Sequence, residues 1–181
     1  EPVLREMAGT LFYVGEKVGD GARCKLVNNL LGGINLVAGA EALALGARLG
    51  LDKRALFELI QASSGASWVV NDRMARALEG DYVPRARSVI LTKDVGLAVQ
   101  MADAAGVDTP LGDVALRLFQ ATVAAGYGEL DDAVQMVLDR SRDVRALKRV
   151  GVAARAYIAA ERQWRNNILQ LVDFHRQLTR R

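Results

Sequence analysis

Two polar side chains in an otherwise apolar stretch have the types and the spacing that proton-transfer chemistry needs. Lys25 and Asn29 stand one helical turn apart, so a helix places both on the same face. A lysine acts as a general acid or base where burial and neighbouring groups bring its pKa toward the working pH, and the Asn29 amide can bind oxygen atoms beside it. The alternative is an ordinary solvated lysine near a helix start, with Gly19 and Gly21 only shaping the entry to that helix.

The stretch that carries this pair predicts one long helix. Residues 19–49 contain no proline, and a helix of about 29 residues is roughly 43 Å long at 1.5 Å per residue. Steps of four and three continue the Lys25 face into a seam of glycine and leucine at Gly32, Leu36, Gly39, Leu43 and Gly46. Glycine inside a helix lowers its stability by about 1 kcal/mol relative to alanine. We therefore expect another element to pack closely against this seam.

Helical spacing and end signals continue through the rest of the body. The segments that carry them are 52–64, 67–80, 88–106, 110–126 and 127–139. Asp52 is a predicted N-cap for the first of these, with Leu56, Leu59 and Ile60 facing inward. No segment of the body alternates with period two for longer than a few residues. The predicted fold class is all-α, a helical bundle built on the long central helix.

Charge divides the chain into a mildly acidic body and a basic tail. Residues 1–139 carry 13 Lys and Arg against 18 Asp and Glu, whereas residues 140–181 carry 11 against 3. Apolar residues in the tail keep an approximately three-four spacing, which predicts a basic amphipathic helical extension. A charged outer face on such a helix is the commoner explanation for this charge, and an acidic partner or nucleic acid is the alternative. We expect no nucleic-acid partner.

Cysteine and histidine are both scarce in this chain. The single cysteine, Cys24, excludes an internal disulfide, and the single histidine, His175, excludes a histidine-based triad or a His-rich metal site in the body. We expect no metal, and we expect Cys24 to be a small core residue. No signal peptide and no run of 18 or more uncharged apolar residues is visible, so we expect a cytoplasmic location and no membrane partner.

Three segments carry recognisable motifs in a fixed order. They read GDGARCKLVNN at 19–29, SSGASWVVNDR at 63–73 and ILTKDVGLAVQMADAAGVDTPLG at 90–112. The first resembles the G-x-G-x-x-x-K-x-x-N-N signature of the β-hydroxyacid dehydrogenases, the family of 3-hydroxyisobutyrate dehydrogenase and tartronate semialdehyde reductase. The second resembles that family's Ser-Gly-x-Ser-Trp segment and the third its Lys-Asp-x-x-Leu-Ala helix. The resemblance covers roughly residues 1–139.

This resemblance implies an NAD(P)-dependent oxidoreductase that acts on a small 3-hydroxy acid. It implies that Lys25 is the catalytic lysine and that Asn29 binds substrate, with Asn28 in support. It also implies that Lys93, beside Asp94, contacts the cofactor, NAD or NADP.

The resemblance further implies a division of labour between two domains. Family members join an N-terminal Rossmann domain to a helical domain like the C-terminal domain of 6-phosphogluconate dehydrogenase-type enzymes. Because no G-x-G-x-x-G follows a strand here, we expect residues 1–139 to be the substrate-side domain alone and inactive in isolation. Residues 140–181 are then the extension, and a homo-oligomer, dimer or tetramer, is expected. The alternative is a non-catalytic helical dimerisation or interaction module derived from that domain.

Overall fold

The computed structural model describes residues 2–81 and 83–131. It contains six α-helices and one π-helical turn in these residues: α1 (Pro2–Met7), α2 (Asp20–Arg48), α3 (Lys53–Gln61), α4 (Trp68–Glu79), α5 (Ser88–Ala104), α6 (Pro110–Thr122) and the π-helical turn Val123–Tyr127. Within the described part, the one β-type contact is an isolated antiparallel bridge between Arg87 and Asp131.

Helix α2 is the central element of the described body. Its 29 residues confirm the predicted long helix, which begins after Gly19 in a left-handed conformation (φ 99°). The other end is closed by Gly50, whose φ of 78° is a conformation that glycine adopts without strain. Helices α3, α4, α5 and α6 all pack against α2. The core therefore surrounds the C-terminal half of α2, and its buried members there include Leu36, Val37 and Leu43.

The predicted glycine seam of α2 is present, with one shift in position. A Cβ atom at Gly39 would lie 2.7 Å from Cγ2 of Val70, so α4 approaches the bare backbone there. At the upper end the close approach falls on Gly33, where a Cβ atom would lie 2.8 Å from Cγ2 of Val95 on α5. Gly32 has open space around it. The prediction of Gly32 is therefore wrong by one residue, because α5 crosses α2 slightly to one side of the extrapolated stripe.

The short helix α3 confirms one prediction and corrects another. Asp52 caps it, since its carboxylate accepts a hydrogen bond of 2.8 Å from the Ala55 N–H. The buried residue of this helix is Phe57, whereas Leu59 is 62% exposed. Leu59 lies about 200° around the helix from Phe57, so it points away from the core once the aromatic ring is inserted.

Two further predictions are wrong. The segment around Leu130 and Asp131, expected in the first turn of a sixth helix, instead crosses the start of α5, where Leu130 O accepts from Ser88 N–H at 2.9 Å. Cys24 is exposed, because the buried residues of α2 begin only at Gly33. Residues 132–139 and the predicted amphipathic tail, 140–181, lie outside the described residues.

By length and composition alone, α2 could also cross a membrane. The core helix of a soluble protein meets the same criteria, and α2 is surrounded by helices α3 to α6. The expectation that the protein has no membrane partner stays a prediction.

Candidate functional site

The candidate site lies between the first turns of α2 and the second turn of α5. Lys25 and Asn29 occupy one face of α2 above the packed seam, while Lys93 and Asp94 belong to α5. The close approach of α5 at Gly33 sets the distance between the two helices. It brings the Asp94 carboxylate opposite the Lys25–Asn29 face.

Asp94 is the common acceptor at which the predicted site residues meet. Its Oδ2 atom accepts from Lys25 Nζ at 2.6 Å and from Asn29 Nδ2 at 2.8 Å. Its Oδ1 atom pairs with Lys93 Nζ at 2.7 Å. The Asp94 side chain is 2% exposed, whereas those of Lys25 and Lys93 are 59% and 61% exposed. The carboxylate is thus inside the protein, and both ammonium groups reach solvent.

The surroundings of Asp94 keep it ionised. Burial by itself raises the pKa of a carboxyl group, because it disfavours the charged form. Hydrogen bonds from Lys25, Lys93 and Asn29 outweigh that effect and lower the pKa of Asp94 below its ordinary value. Two ammonium groups then share one carboxylate, so the cluster carries one uncompensated positive charge at neutral pH.

Three of the four predicted site residues are brought together, and the fourth is not. Lys25, Asn29 and Lys93 all contact Asp94. Asn28 is exposed on the neighbouring face of α2, and the described hydrogen bonds to Asp94 do not include it. The supporting role of Asn28 stays a prediction.

Asp94 organises the cluster, although the resemblance to the family gives it no role beyond that of a neighbour of Lys93. A signal was present in the sequence, because Asp94 lies on the same stripe of α5 as Leu91 and Ala98, three residues before it and four after it. A carboxylate on a core-facing stripe needs partners, and Lys25 and Asn29 on α2 provide them.

The exposed ammonium groups suit an anionic molecule such as a carboxylate or a dinucleotide phosphate. Lys25 has three N–H donors and uses one on Asp94, which leaves others for a ligand. The same holds for Lys93. No group of three or more His, Cys, Asp or Glu within the described residues is placed to hold a metal ion. The two ammonium groups can therefore bind an anionic ligand.

Residues 19–138 match a protein family described as the NAD-binding region of NADP-dependent 3-hydroxyisobutyrate dehydrogenase. The chain belongs to the β-hydroxyacid dehydrogenase family. L-threonate dehydrogenase of Escherichia coli K12 is 37% identical over 132 residues, which cover 73% of this chain and 44% of that protein. 3-Hydroxyisobutyrate dehydrogenase of Pseudomonas aeruginosa is 37% identical over 152 residues, covering 78% of this chain and 50% of the relative.

The crystal structure of a Salmonella typhimurium 3-hydroxyisobutyrate dehydrogenase is similar to this chain, with a TM-score of 0.71 at 35% identity. The alignment covers 75% of this chain and 47% of the other. The chain thus spans about half the length of the relatives that it matches. Family membership identifies NAD or NADP as the cofactor.

The family match corrects the predicted fold class. The chain was predicted to be an all-α domain, like the C-terminal domain of 6-phosphogluconate dehydrogenase-type enzymes, with dinucleotide binding elsewhere. The matched family assigns residues 19–138 to NAD binding, although residues 2–81 and 83–131 contain no strand. Helical periodicity and the lack of a G-x-G-x-x-G turn exclude one way of binding a dinucleotide. They do not exclude cationic side chains on helices, such as those of Lys25 and Lys93.

Proposed function

We propose that this chain supplies the lysine-bearing site of an NAD(P)-dependent oxidoreductase that interconverts a small 3-hydroxy acid and its carbonyl form. The observation that carries the proposal is the convergence of Lys25, Asn29 and Lys93 on the buried Asp94 carboxylate. These three residues come from two helices, and Lys25 is 69 residues from Asp94 along the chain. An ordinary solvated lysine on the surface would not share a buried carboxylate with an amide and a second lysine.

The names of the relatives support the same substrate class. Threonate and 3-hydroxyisobutyrate are both carboxylates that carry a hydroxyl group on the carbon two positions from the carboxyl carbon. A molecule of this kind presents one anionic end and at least one hydroxyl group that can be oxidised. The uncompensated positive charge of the cluster suits the anionic end, and the Lys25 ammonium suits the reacting oxygen.

Lys25 is the proposed general acid and base. In the direction of oxidation, Lys25 in its neutral form accepts the hydroxyl proton at Nζ, and in reduction the ammonium returns a proton to the carbonyl oxygen. Because the ammonium has three N–H groups, one can stay on Asp94 while another points to the substrate oxygen. Bound NAD or NADP supplies the hydride acceptor or donor.

The neighbouring residues position the reactants. The Asn29 Nδ2 group donates to Asp94 at 2.8 Å, which fixes the amide so that its carbonyl oxygen and second N–H can face the substrate. Lys93 reaches solvent beside them and is the proposed cofactor contact. Asp94 is the fixed acceptor for all three donors, and its ionised state keeps the cluster assembled.

The proposal is tested by turnover in an enzyme that contains this chain. The part of the E. coli L-threonate dehydrogenase that aligns with this chain is replaced by residues 1–139, and reduction of NAD or NADP is followed with a panel of 3-hydroxy acids. Lys25→Ala should lower kcat by roughly 10²–10⁴-fold, the usual contribution of a positioned acid or base. Asn29→Ala should raise KM as well as lower kcat, because a substrate-binding amide acts in both the ground and transition states.

Lys25→Arg is the matched control for the proton-transfer role. Arginine keeps the positive charge but does not give up its proton near neutral pH, so this variant should be nearly as slow as Lys25→Ala. Near-normal turnover of Lys25→Arg would show that the residue is only an electrostatic anchor. A fused protein that binds no cofactor and turns over no hydroxy acid would instead favour the non-catalytic interaction module.

A further inference from the structure

A second ionic cluster lies at the start of α5, one and a half turns before the candidate site. Residues 128–131 cross the first turn of that helix. Val89 N–H donates to Gly128 O and Ser88 N–H to Leu130 O, both at 2.9 Å. The N-cap residue Arg87 makes no side-chain capping bond. Two of the N–H groups that a helix start normally leaves unpaired are therefore satisfied by this crossing segment.

Asp131 connects the crossing segment, residues 128–131, to α4 and to the loop before α5. Its Oδ2 atom accepts from Nη1 and Nη2 of Arg76 on α4, at 3.2 and 3.1 Å, and from the Arg85 N–H at 3.1 Å. The Ser88 hydroxyl donates to Leu130 O at 3.2 Å and lies 3.4 Å from Asp131 O. One carboxylate thus connects α4, the loop that precedes α5 and the segment that covers its first turn.

The burial of this pair indicates a role other than net stabilisation. The side chains of Arg76 and Asp131 are 8% and 2% exposed, and the Nε atom of Arg76 is buried without a hydrogen-bond partner among the described residues. Removing such ions from water offsets most of their attraction, so apolar residues of the same volume often stabilise a fold at least as well. What a buried pair does supply is a fixed relative position of the segments that it joins.

We infer that Arg76 and Asp131 are positioning residues for the Lys25–Asp94 site. Ser88, the first residue of α5, is six residues before Asp94, a distance of about 9 Å along the helix at 1.5 Å per residue. A rotation or slide of the first turn therefore moves the Asp94 carboxylate directly. Three donors must meet that carboxylate at 2.6 to 2.8 Å, and hydrogen bonds of this length tolerate little displacement. The inference rests on the proposed function only because it takes the Lys25–Asp94 cluster as the reacting site.

The test measures the protonation of Asp94 in the 181-residue chain by NMR titration of its carboxyl carbon. Asp131→Asn keeps the size of the side chain but removes the charge that holds Arg76. If the start of α5 shifts, Lys25, Asn29 and Lys93 fit Asp94 less well, and its titration midpoint moves upward. Ser88→Ala removes the hydroxyl bonds without leaving a buried charge unpaired. Ser88→Ala should produce a smaller upward shift of the Asp94 titration midpoint. If Asp131→Asn does not fold, the result for Ser88→Ala alone tests the inference.

Phe57→Leu is the control for general loosening of the fold. Phe57 is buried on α3, which packs on α2 and α4, and its replacement should lower the melting temperature while every residue at the start of α5 stays unchanged. The inference is supported if the variants at Asp131 and Ser88 raise the Asp94 midpoint and Phe57→Leu does not. It is overturned if the midpoint stays unchanged in the first two, or moves equally in all three. Because no turnover is measured, this failure would leave the proposed function standing.

Discussion

The Asp94 cluster and the Asp131 cluster have equally buried carboxylates, but the cations of the first are exposed and the cation of the second is buried. Asp94 and Asp131 have side chains that are each 2% exposed. The lysines that pair with Asp94 are about 60% exposed, whereas the Arg76 side chain that pairs with Asp131 is 8% exposed. Burial of the carboxylate is therefore the same at the proposed reacting site and at the Arg76–Asp131 pair. The two clusters differ in the accessibility of the cation.

The choice of cation follows the same division. Arginine presents a rigid, permanently charged fork, which suits a buried pair that holds segments together. Lysine carries a compact ammonium that can exchange partners and give up a proton. The Arg76–Asp131 pair is thus suited to fix geometry, and the Lys25–Asp94 pair to meet a ligand.

The largest expected contrast is in stability. Asp131→Ala leaves the buried Arg76 guanidinium without its main partner, and breaking a buried pair from one side typically costs about 3–5 kcal/mol. Lys25→Ala should change the free energy of unfolding by about 1 kcal/mol or less, because its ammonium is largely solvated. Urea denaturation of the two variants measures both values. Equal losses would remove the distinction between the clusters.

The next contrast concerns ligand binding. Lys93→Ala should weaken the binding of NAD or NADP by roughly tenfold or more in the fused enzyme, the usual loss of a charge-assisted hydrogen bond. Arg54→Ala is a matched control, since Arg54 is a cation on α3 that is 61% exposed, like Lys93, and pairs with Glu79 at 3.8 Å. Calorimetry should detect weaker binding only in the first variant. A similar loss in both would indicate a general charge effect.

A substitution in the helix interface should affect one cluster and spare the other. Gly33→Ala places a Cβ atom 2.8 Å from Val95 Cγ2 and 3.3 Å from the Phe119 ring, and overpacking of this kind costs about 1–3 kcal/mol. It should push α2 away from α5 and lengthen the bonds from Lys25 and Asn29 to Asp94.

Gly32→Ala is the control, because a Cβ atom there meets nothing within 4 Å. It should be neutral or stabilising by up to about 1 kcal/mol, since alanine is the better helix former. Thermal unfolding of the two variants gives the comparison. If Gly33→Ala is as stable as Gly32→Ala, the helices do not approach as closely as described.

The smallest expected effect is on the pH dependence of stability. The pKa of Asp94 is lower in the folded protein than its ordinary value. Its contribution to stability is therefore fully present above the unfolded-state pKa of about 3.9 and is lost as the pH falls through the lowered folded-state pKa. Asp94→Asn should lose stability relative to the parent at pH 6, and the difference should shrink toward pH 3. A constant difference would mean that Asp94 does not titrate as a paired carboxylate.

Local signals in the sequence predicted the helices better than the tertiary contacts between them. The absence of proline and the flanking glycines located α2, and the Asp52 cap located α3. The spacing of Lys25 and Asn29 required only the helical period. Lys93 came from the resemblance to a family, because nothing in its neighbourhood distinguishes it from a surface lysine.

What the sequence could not supply was the tertiary pairing. The Arg76–Asp131 pair joins positions 55 residues apart, and no local pattern indicates which arginine reaches which carboxylate. The prediction of a sixth helix that starts near residue 127 was wrong for the same reason, because a tertiary contact decides the structure of this segment. Glu129 and Asp131 read as a favourable acidic first turn, but the bond from buried Arg76 and the need to cover the start of α5 outweighed that preference.

The exposed thiol of Cys24 gives the protein a built-in reporter. It is the one cysteine in the chain, it is exposed, and it directly precedes Lys25. A maleimide dye would therefore label a single known position, about 100° around the helix from the ammonium, without any engineered substitution. A bound anion or cofactor should change the rate of labelling or the emission of the attached dye. Ligands can thus be screened by fluorescence before any substrate has been identified.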